Sequence, residues 1–209
     1  ATPDTLGVAS GASFGAALGL LLGLPLFGVQ LTALFMGGAA VALTWLAGSG
    51  KGKGLSTVVL AGIMMGSLFN AMVSLVKFVA DEESQLPAIT YWLMGSLNGT
   101  DPGDVKFALI PMAMGTIPLF LLRWRINLLT LGDEEAQTMG INAKRLRVIV
   151  IFCSTLITAA SVAVSGVIGW VGLVIPHLAR RLVGNNYRYL MPASMLLGAI
   201  FLLLVDDLS

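Results

Sequence analysis

The chain reads as long apolar stretches parted by short polar breaks. Charged side chains are absent from residues 5–50, 55–76, 107–122, 148–179 and 189–205. A helix needs about 20 apolar residues to cross a hydrocarbon core of about 30 Å. Residues 5–50, 46 in all, therefore predict two spans folded at Pro25 to Gly28. Residues 148–179 predict one full span and the start of a short or broken one, split near Gly166 to Gly172. The predicted spans are residues 6–24, 29–47, 55–79, 105–122 and 146–164, a short segment 169–182, and 189–205. An amphipathic stretch at 86–98 predicts a short surface helix.

Composition agrees. Apolar residues make up 56% of the chain and charged ones 11%, against about 25% charged in soluble domains. The mean hydropathy is +0.89. The fold class expected is all-α, a polytopic helical membrane protein. A net charge of +1, with basic residues scattered over loops, leaves no footprint for nucleic acid. Cys153 is the single cysteine, which excludes an intramolecular disulfide. One cysteine and one histidine, His177, cannot assemble a nitrogen and sulfur metal site, so no metal is expected. The chain begins at Ala1 without Met and stops at Ser209 after an apolar run, and a fragment of a longer polytopic chain is the expectation.

Lys and Arg concentrate in short cytoplasmic loops, whereas acids carry little topological information. Lys51 and Lys53 mark one cytoplasmic turn, Arg123, Arg125, Lys144, Arg145 and Arg147 a second, and Arg180, Arg181 and Arg188 a third. Alternate crossings fit between them, with residues 6–24 leading outward. Asp81, Glu82, Glu83, Asp101 and Asp104 then fall outside, around the surface helix.

Residues 123–147 carry eight of the 23 charged side chains. Three acids, Asp133, Glu134 and Glu135, suit the positive N-terminal end of a helix. Gly140 is a stop, and Asn142 can cap a second helix whose Lys144, Arg145 and Arg147 lead into the next span. Two short helices lying flat on the cytoplasmic face are expected. Ala136 and Met139, three apart, would form an apolar docking knob framed by charge.

Gly7, Gly11, Gly15, Gly19 and Gly23 repeat every four residues, a small-residue face that predicts close helix packing within the subunit. Two catalytic patterns fail. Gly48 to Gly54 has lysines, but neither is followed by Ser or Thr and no strand precedes it, so it is not a Walker A loop. Ser10, Ser13 and His177 would suit a Ser/His intramembrane protease only if nucleophile and base were adjacent, and nothing in the sequence makes them so. His177 reads as an interfacial histidine or an inner gate with Arg180.

The run Leu128-Leu129-Thr130-Leu131-Gly132-Asp133-Glu134-Glu135-Ala136-Gln137-Thr138-Met139-Gly140-Ile141-Asn142, and the later Ser165-Gly166-Val167-Ile168-Gly169-Trp170-Val171-Gly172-Leu173-Val174-Ile175-Pro176-His177, resemble the FecCD-type permeases. Further matches, in family order, are Leu6-Gly7-Val8-Ala9-Ser10-Gly11-Ala12, Tyr91-Trp92-Leu93-Met94-Gly95 and Leu190-Met191-Pro192-Ala193-Ser194. These permeases are membrane subunits of binding-protein-dependent ABC importers for iron-siderophores, haem and vitamin B12. The resemblance implies the type II permease fold of ten spans, of which this chain matches the third to the ninth. It also implies partners: a second permease subunit, two ATP-binding subunits that hold ATP and Mg, and a periplasmic or lipid-anchored substrate-binding protein. The location implied is the bacterial or archaeal cytoplasmic membrane. This chain would bind no cofactor and catalyse no reaction.

By the same resemblance, residues 128–145 hold the coupling helices, and Gly132, Asp133, Glu134, Glu135, Ala136, Gln137, Met139, Gly140 and Asn142 meet the ATPase. Met64, Met65, Asn70 and Met72 on the fifth family span, with Gly169, Gly172 and Pro176 on the eighth, are candidates for the translocation pathway. The substrate expected is a metal chelate, with iron-siderophore placed ahead of haem, cobalamin and oxyanion. The alternative is an ATP-independent channel or secondary transporter, which should place ionisable residues at mid-membrane. Lys77 and Asp206 fall near span ends instead.

Overall fold

A computed structural model describes residues 6–48, 55–97, 100–129 and 133–208. The turn with Lys51 and Lys53, Asn98 and Gly132 lie outside the described residues. Among those described there are helices and no strands: α1 (Val8–Leu21), α2 (Leu26–Gly48), α3 (Leu55–Val79), α4 (Gln85–Met94), α5 (Pro102–Leu129), α6 (Asp133–Thr138), α7 (Ala143–Ser165), α8 (Val171–Val183) and α9 (Tyr187–Leu208). Helices α2, α3, α5, α7 and α9 are long and apolar enough to cross a membrane. The chain divides into two compact units, Ala1–Ala113 with Ser154–Ile168 and Met114–Cys153 with Gly169–Ser209.

In the first unit α1 is the buried axis. Its 14 residues extend only about 21 Å at 1.5 Å per residue, so the full span expected over residues 6–24 is not observed. The chain enters the helix through a left-handed Gly7 and leaves it in a turn where Leu24 N–H donates to Gly19 O at 3.0 Å. A short helix suffices here because α1 is enclosed by protein instead of lipid. Gly11, Gly15 and Gly19 face α2: a Cβ on Gly11 would lie 2.7 Å from Met36 O, and one on Gly19 would lie 2.7 Å from Thr32 Oγ1. Gly7 turns instead toward Gly62 and Gly66 of α3. The expected close packing is present at Gly7, Gly11, Gly15 and Gly19 and joins helices of one chain, whereas a Cβ on Gly23 would meet nothing within 4 Å.

Around that axis Phe14 and Ala17 pack with Phe69, Val73 and Val76 of α3 and Ile89 of α4. On the other side Ala12 and Ala16 pack with Val29 and Ala33 of α2 and with Val162 and Ala163 of α7. Thr44 Oγ1 donates to Leu6 O at 3.1 Å, so a buried hydroxyl and a carbonyl outside the helical ladder satisfy each other.

The surface helix ends at Met94, four residues before the expected boundary, because Gly95 takes a positive φ of 72° and turns the chain. It nests against the end of α7, where Ser96 N–H donates to Ser165 O at 2.9 Å. A Cβ on Gly166 would lie 2.5 Å from Trp92 O, so this corner admits no side chain. At the other end of α4, Asp81 accepts from Ser84 N–H (2.9 Å) and Ser84 Oγ–H (2.6 Å), which hold its carboxyl below the usual carboxylate range. Gln85 Nε2 donates to Leu21 O at 3.0 Å, tying α4 to the end of α1.

Asp104 is a buried acid. It is 9% exposed and accepts from Gln30 Nε2 at 2.6 Å and from Asp101 N–H at 2.9 Å. The same carboxylate thus closes the first turn of α5 and satisfies a glutamine buried in α2. A buried amide needs such a partner.

In the second unit α8 lies on α9. Ile175 and Ala179 of α8 and Leu190 of α9 are buried, and Gly198 leaves room for Ile175. Asn127 of α5 accepts from Tyr187 N–H at 3.5 Å, placing the first turn of α9 beside the last turns of α5.

Candidate functional site

The polar segment between α5 and α7 builds a small, tightly closed structure from local rules. Helix α6 is six residues long and ends at Thr138. Gly140 N–H donates to Gln137 O at 2.9 Å and Ile141 N–H to Ala136 O at 3.0 Å. This is the Schellman pattern, which requires a left-handed residue after the helix, and Gly140 supplies it at φ 78°. Two residues on, Asn142 Oδ1 accepts from Arg145 N–H at 3.1 Å and Asn142 O from Leu146 N–H at 3.0 Å, which starts α7. The stop at Gly140 and the cap at Asn142 both stand as expected.

Two expectations are corrected here. The second short helix does not exist as a separate piece: α7 runs unbroken from Ala143 to Ser165, because no Gly or Pro interrupts that stretch. The paired knob is also split. Ala136 is 0% exposed and unavailable to a partner, whereas Met139 is 57% exposed. The spacing argument fails because α6 ends one residue before Met139, so the helical period no longer relates the two side chains. Gln137 and Gly140 are exposed beside Met139, and Ala143 and Leu146 are buried on the first turn of α7. Gly132 and the side chains of Asp133, Glu134 and Glu135 lie outside the described residues.

An exposed methionine one residue past a short helix, followed by the Gly140 turn and the Asn142 cap, is a locally fixed projection. Removing the cap tests that stiffness. Asn142→Ala should cost about 1 kcal/mol of local stability. Hydrogen exchange at the amides of Arg145 and Leu146 should rise by roughly fivefold, and unchanged exchange would mean the cap contributes nothing.

The candidates on α3 separate by exposure. Met64 is 70% exposed and Asn70 is exposed, Met65 is half-buried, and Met72 packs against the cluster of Phe14, Phe69 and Val73. Ser67 Oγ donates to Ile63 O and Ser74 Oγ to Asn70 O, at 3.0 and 3.1 Å. Ser67, Asn70 and Ser74 therefore form an uncharged polar stripe on the exposed side of a membrane-length helix.

On α8 the exposed His177, Arg180 and Arg181 occupy the face opposite Ile175 and Ala179. Pro176 is half-buried, and at Gly169 and Gly172 an added Cβ would meet nothing within 4 Å. The helix starts at Trp170, a non-glycine residue at φ 68° and 81% exposed. Ser13, one half of the protease pattern, is buried on α1. Among the described residues no group of three or more His, Cys, Asp or Glu could hold a metal ion. Gln30 with Asp104, and Asn127 with Tyr187, went unnoticed in the sequence. Gln30 was findable, since it is the only amide side chain in the charge-free run 5–50 and needed a partner.

These features define a multi-pass helical membrane protein. Over residues 1–209 the chain matches the FecCD transport family, and it belongs to that family. It is 40% identical over 208 residues to the molybdate import system permease protein MolB of Haemophilus influenzae, covering 99% of this chain and 62% of that protein. With a probable iron chelatin transport system permease protein of Helicobacter pylori it shares 40% identity over 211 residues, 98% of this chain and 62% of the relative. The hemin transport system permease protein HmuU of Yersinia pestis is 37% identical over 218 residues, 100% of this chain and 64% of that protein. A solved chain described as an inward-facing metal-chelate type ABC transporter superposes with a TM-score of 0.94 at 40% identity, covering 99% of this chain and 66% of that one. The chain thus spans about 62% of the length of the first curated relatives it matches.

Proposed function

We propose that this chain is the membrane-spanning part of the permease of an ATP-driven, binding-protein-dependent importer, and that its substrate is a metal chelate, with iron-siderophore first in line. The observation that carries the reading is the likeness to a metal-chelate type ABC transporter, at 40% identity over 99% of this chain. Relatives named for molybdate, iron chelatin and hemin lie at 37 to 40% identity, so identity alone does not choose among substrates.

The mechanism is alternating access. A partner ATPase seats the Met139 projection and closes on ATP, and the spans rock around a pathway walled partly by the exposed face of α3. ATP can bias the equilibrium only if the ATPase contacts differ in free energy between the two states. A floppy contact would absorb the movement, which is why the caps at Gly140 and Asn142 matter. On the pathway side, Met64 and Asn70 offer a polarizable and hydrogen-bonding but uncharged surface, which lets a bulky chelate pass without trapping it. The second permease subunit, the two ATPases that bind ATP and Mg, and the binding protein belong to this proposal.

The test is uptake. The full-length protein, reconstituted in vesicles with its ATPase and binding protein, should accumulate ferric siderophore only when ATP is supplied on the ATPase side. Accumulation without ATP would favour a channel or secondary transporter. ATP-dependent accumulation of molybdate or haem in place of ferric siderophore would keep the importer and replace the substrate.

A further inference from the structure

Near the end of α5, spacing places Phe120, Arg123, Trp124 and Asn127 on one side of the helix, the side that Asn127 joins to the first turn of α9. The Arg123 guanidinium lies 4.2 Å over the Phe120 ring, one turn earlier on the helix. A guanidinium held over a ring face keeps its N–H edge available to an anion.

Trp124 is 68% exposed and Tyr189 is exposed on α9, beside Arg188, whose backbone is fixed by Asn186. The neighbouring turns of the same two helices expose apolar side chains, among them Leu121 of α5 and Leu196 of α9. An apolar wall ending in tryptophan, tyrosine and arginine is the profile of a surface that meets lipid.

We infer that Arg123 and Arg188, with Trp124 and Tyr189, bind the phosphate headgroup of an anionic phospholipid of the cytoplasmic leaflet. The arginines supply charge-assisted hydrogen bonds to phosphate oxygens, and the aromatic rings sit at the boundary between headgroup and acyl chain.

Native mass spectrometry of the full-length permease in neutral detergent, titrated with phosphatidylglycerol or phosphatidylcholine, tests the inference. Wild type should retain phosphatidylglycerol preferentially. The preference should fall by about fivefold for each of Arg123→Gln and Arg188→Gln, while phosphatidylcholine retention stays the same. Arg188→Gln changes an exposed side chain and keeps the test available if Arg123→Gln folds poorly. An unchanged preference in both variants would overturn the proposal. So would displacement of the lipid by millimolar inorganic phosphate, which would reassign the site to a free anion. A partner protein co-purifying on this rim with no lipid retained would likewise overturn it.

Discussion

Gly15→Leu should leave the first unit unable to pack and lower the thermal midpoint of the detergent-purified protein by about 10 °C. At Gly15 an added Cβ would press on the Thr32 carbonyl and lie 2.7 Å from the Thr32 carbonyl carbon and 2.8 Å from Met36 Cβ. Two of these obstacles are backbone and cannot rotate away. Overpacking ordinarily costs about 1 to 3 kcal/mol when side chains can yield. Here the helices must separate, so about 3 kcal/mol is the expected minimum, and for a domain of this size each kcal/mol shifts the midpoint by roughly 2 to 4 °C. Gly38 in the partner helix is the control, since an added Cβ there meets nothing within 4 Å. Gly38→Leu should be near neutral. Equal losses at both positions would mean that the close approach of α1 and α2 is not what limits stability.

The second large effect concerns coupling. Met139→Glu places a charge at the centre of the proposed contact with the ATPase, and a central apolar contact is worth about 2 kcal/mol or more. Substrate-stimulated ATP hydrolysis should therefore fall at least about tenfold. Membrane insertion and thermal midpoint should hardly change, because Met139 is exposed. Ala136→Leu should do the reverse, lowering stability, since its side chain is fully buried. If Met139→Glu left hydrolysis intact, the projection would not be the lever.

Much of the fold was legible in the spacing of charge and glycine. The span predicted at residues 55–79 is α3, residue for residue, and α7, α8 and α9 differ from expectation by three residues or fewer at each end. Those ends are set by local chemistry, such as the Asn142 and Asn186 caps and the Gly184 stop, and local chemistry is written in order along the chain. What escaped depends on neighbours distant in sequence. Hydropathy cannot distinguish a short helix enclosed by protein from a full crossing, so α1 looked longer than it is. Asp104 looked like a loop acid because its partner, Gln30, is 74 residues away. Between α5 and α7, the caps at Gly140 and Asn142 were visible, but which of Ala136 and Met139 faces outward depended on where α6 ends. Met72 was grouped with Met64 by residue type, yet the α1 cluster claims its side chain.

Cysteine cross-linking of the coupling segment to the ATPase subunit tests the central claim most directly. In a full-length protein with Cys153 replaced, Met139→Cys should be captured by a cysteine introduced into the co-expressed ATPase, and capture should change on ATP binding. Ala136→Cys, buried, should not react. Capture of the ATPase at other cytoplasmic positions with none at Met139 would contradict the account.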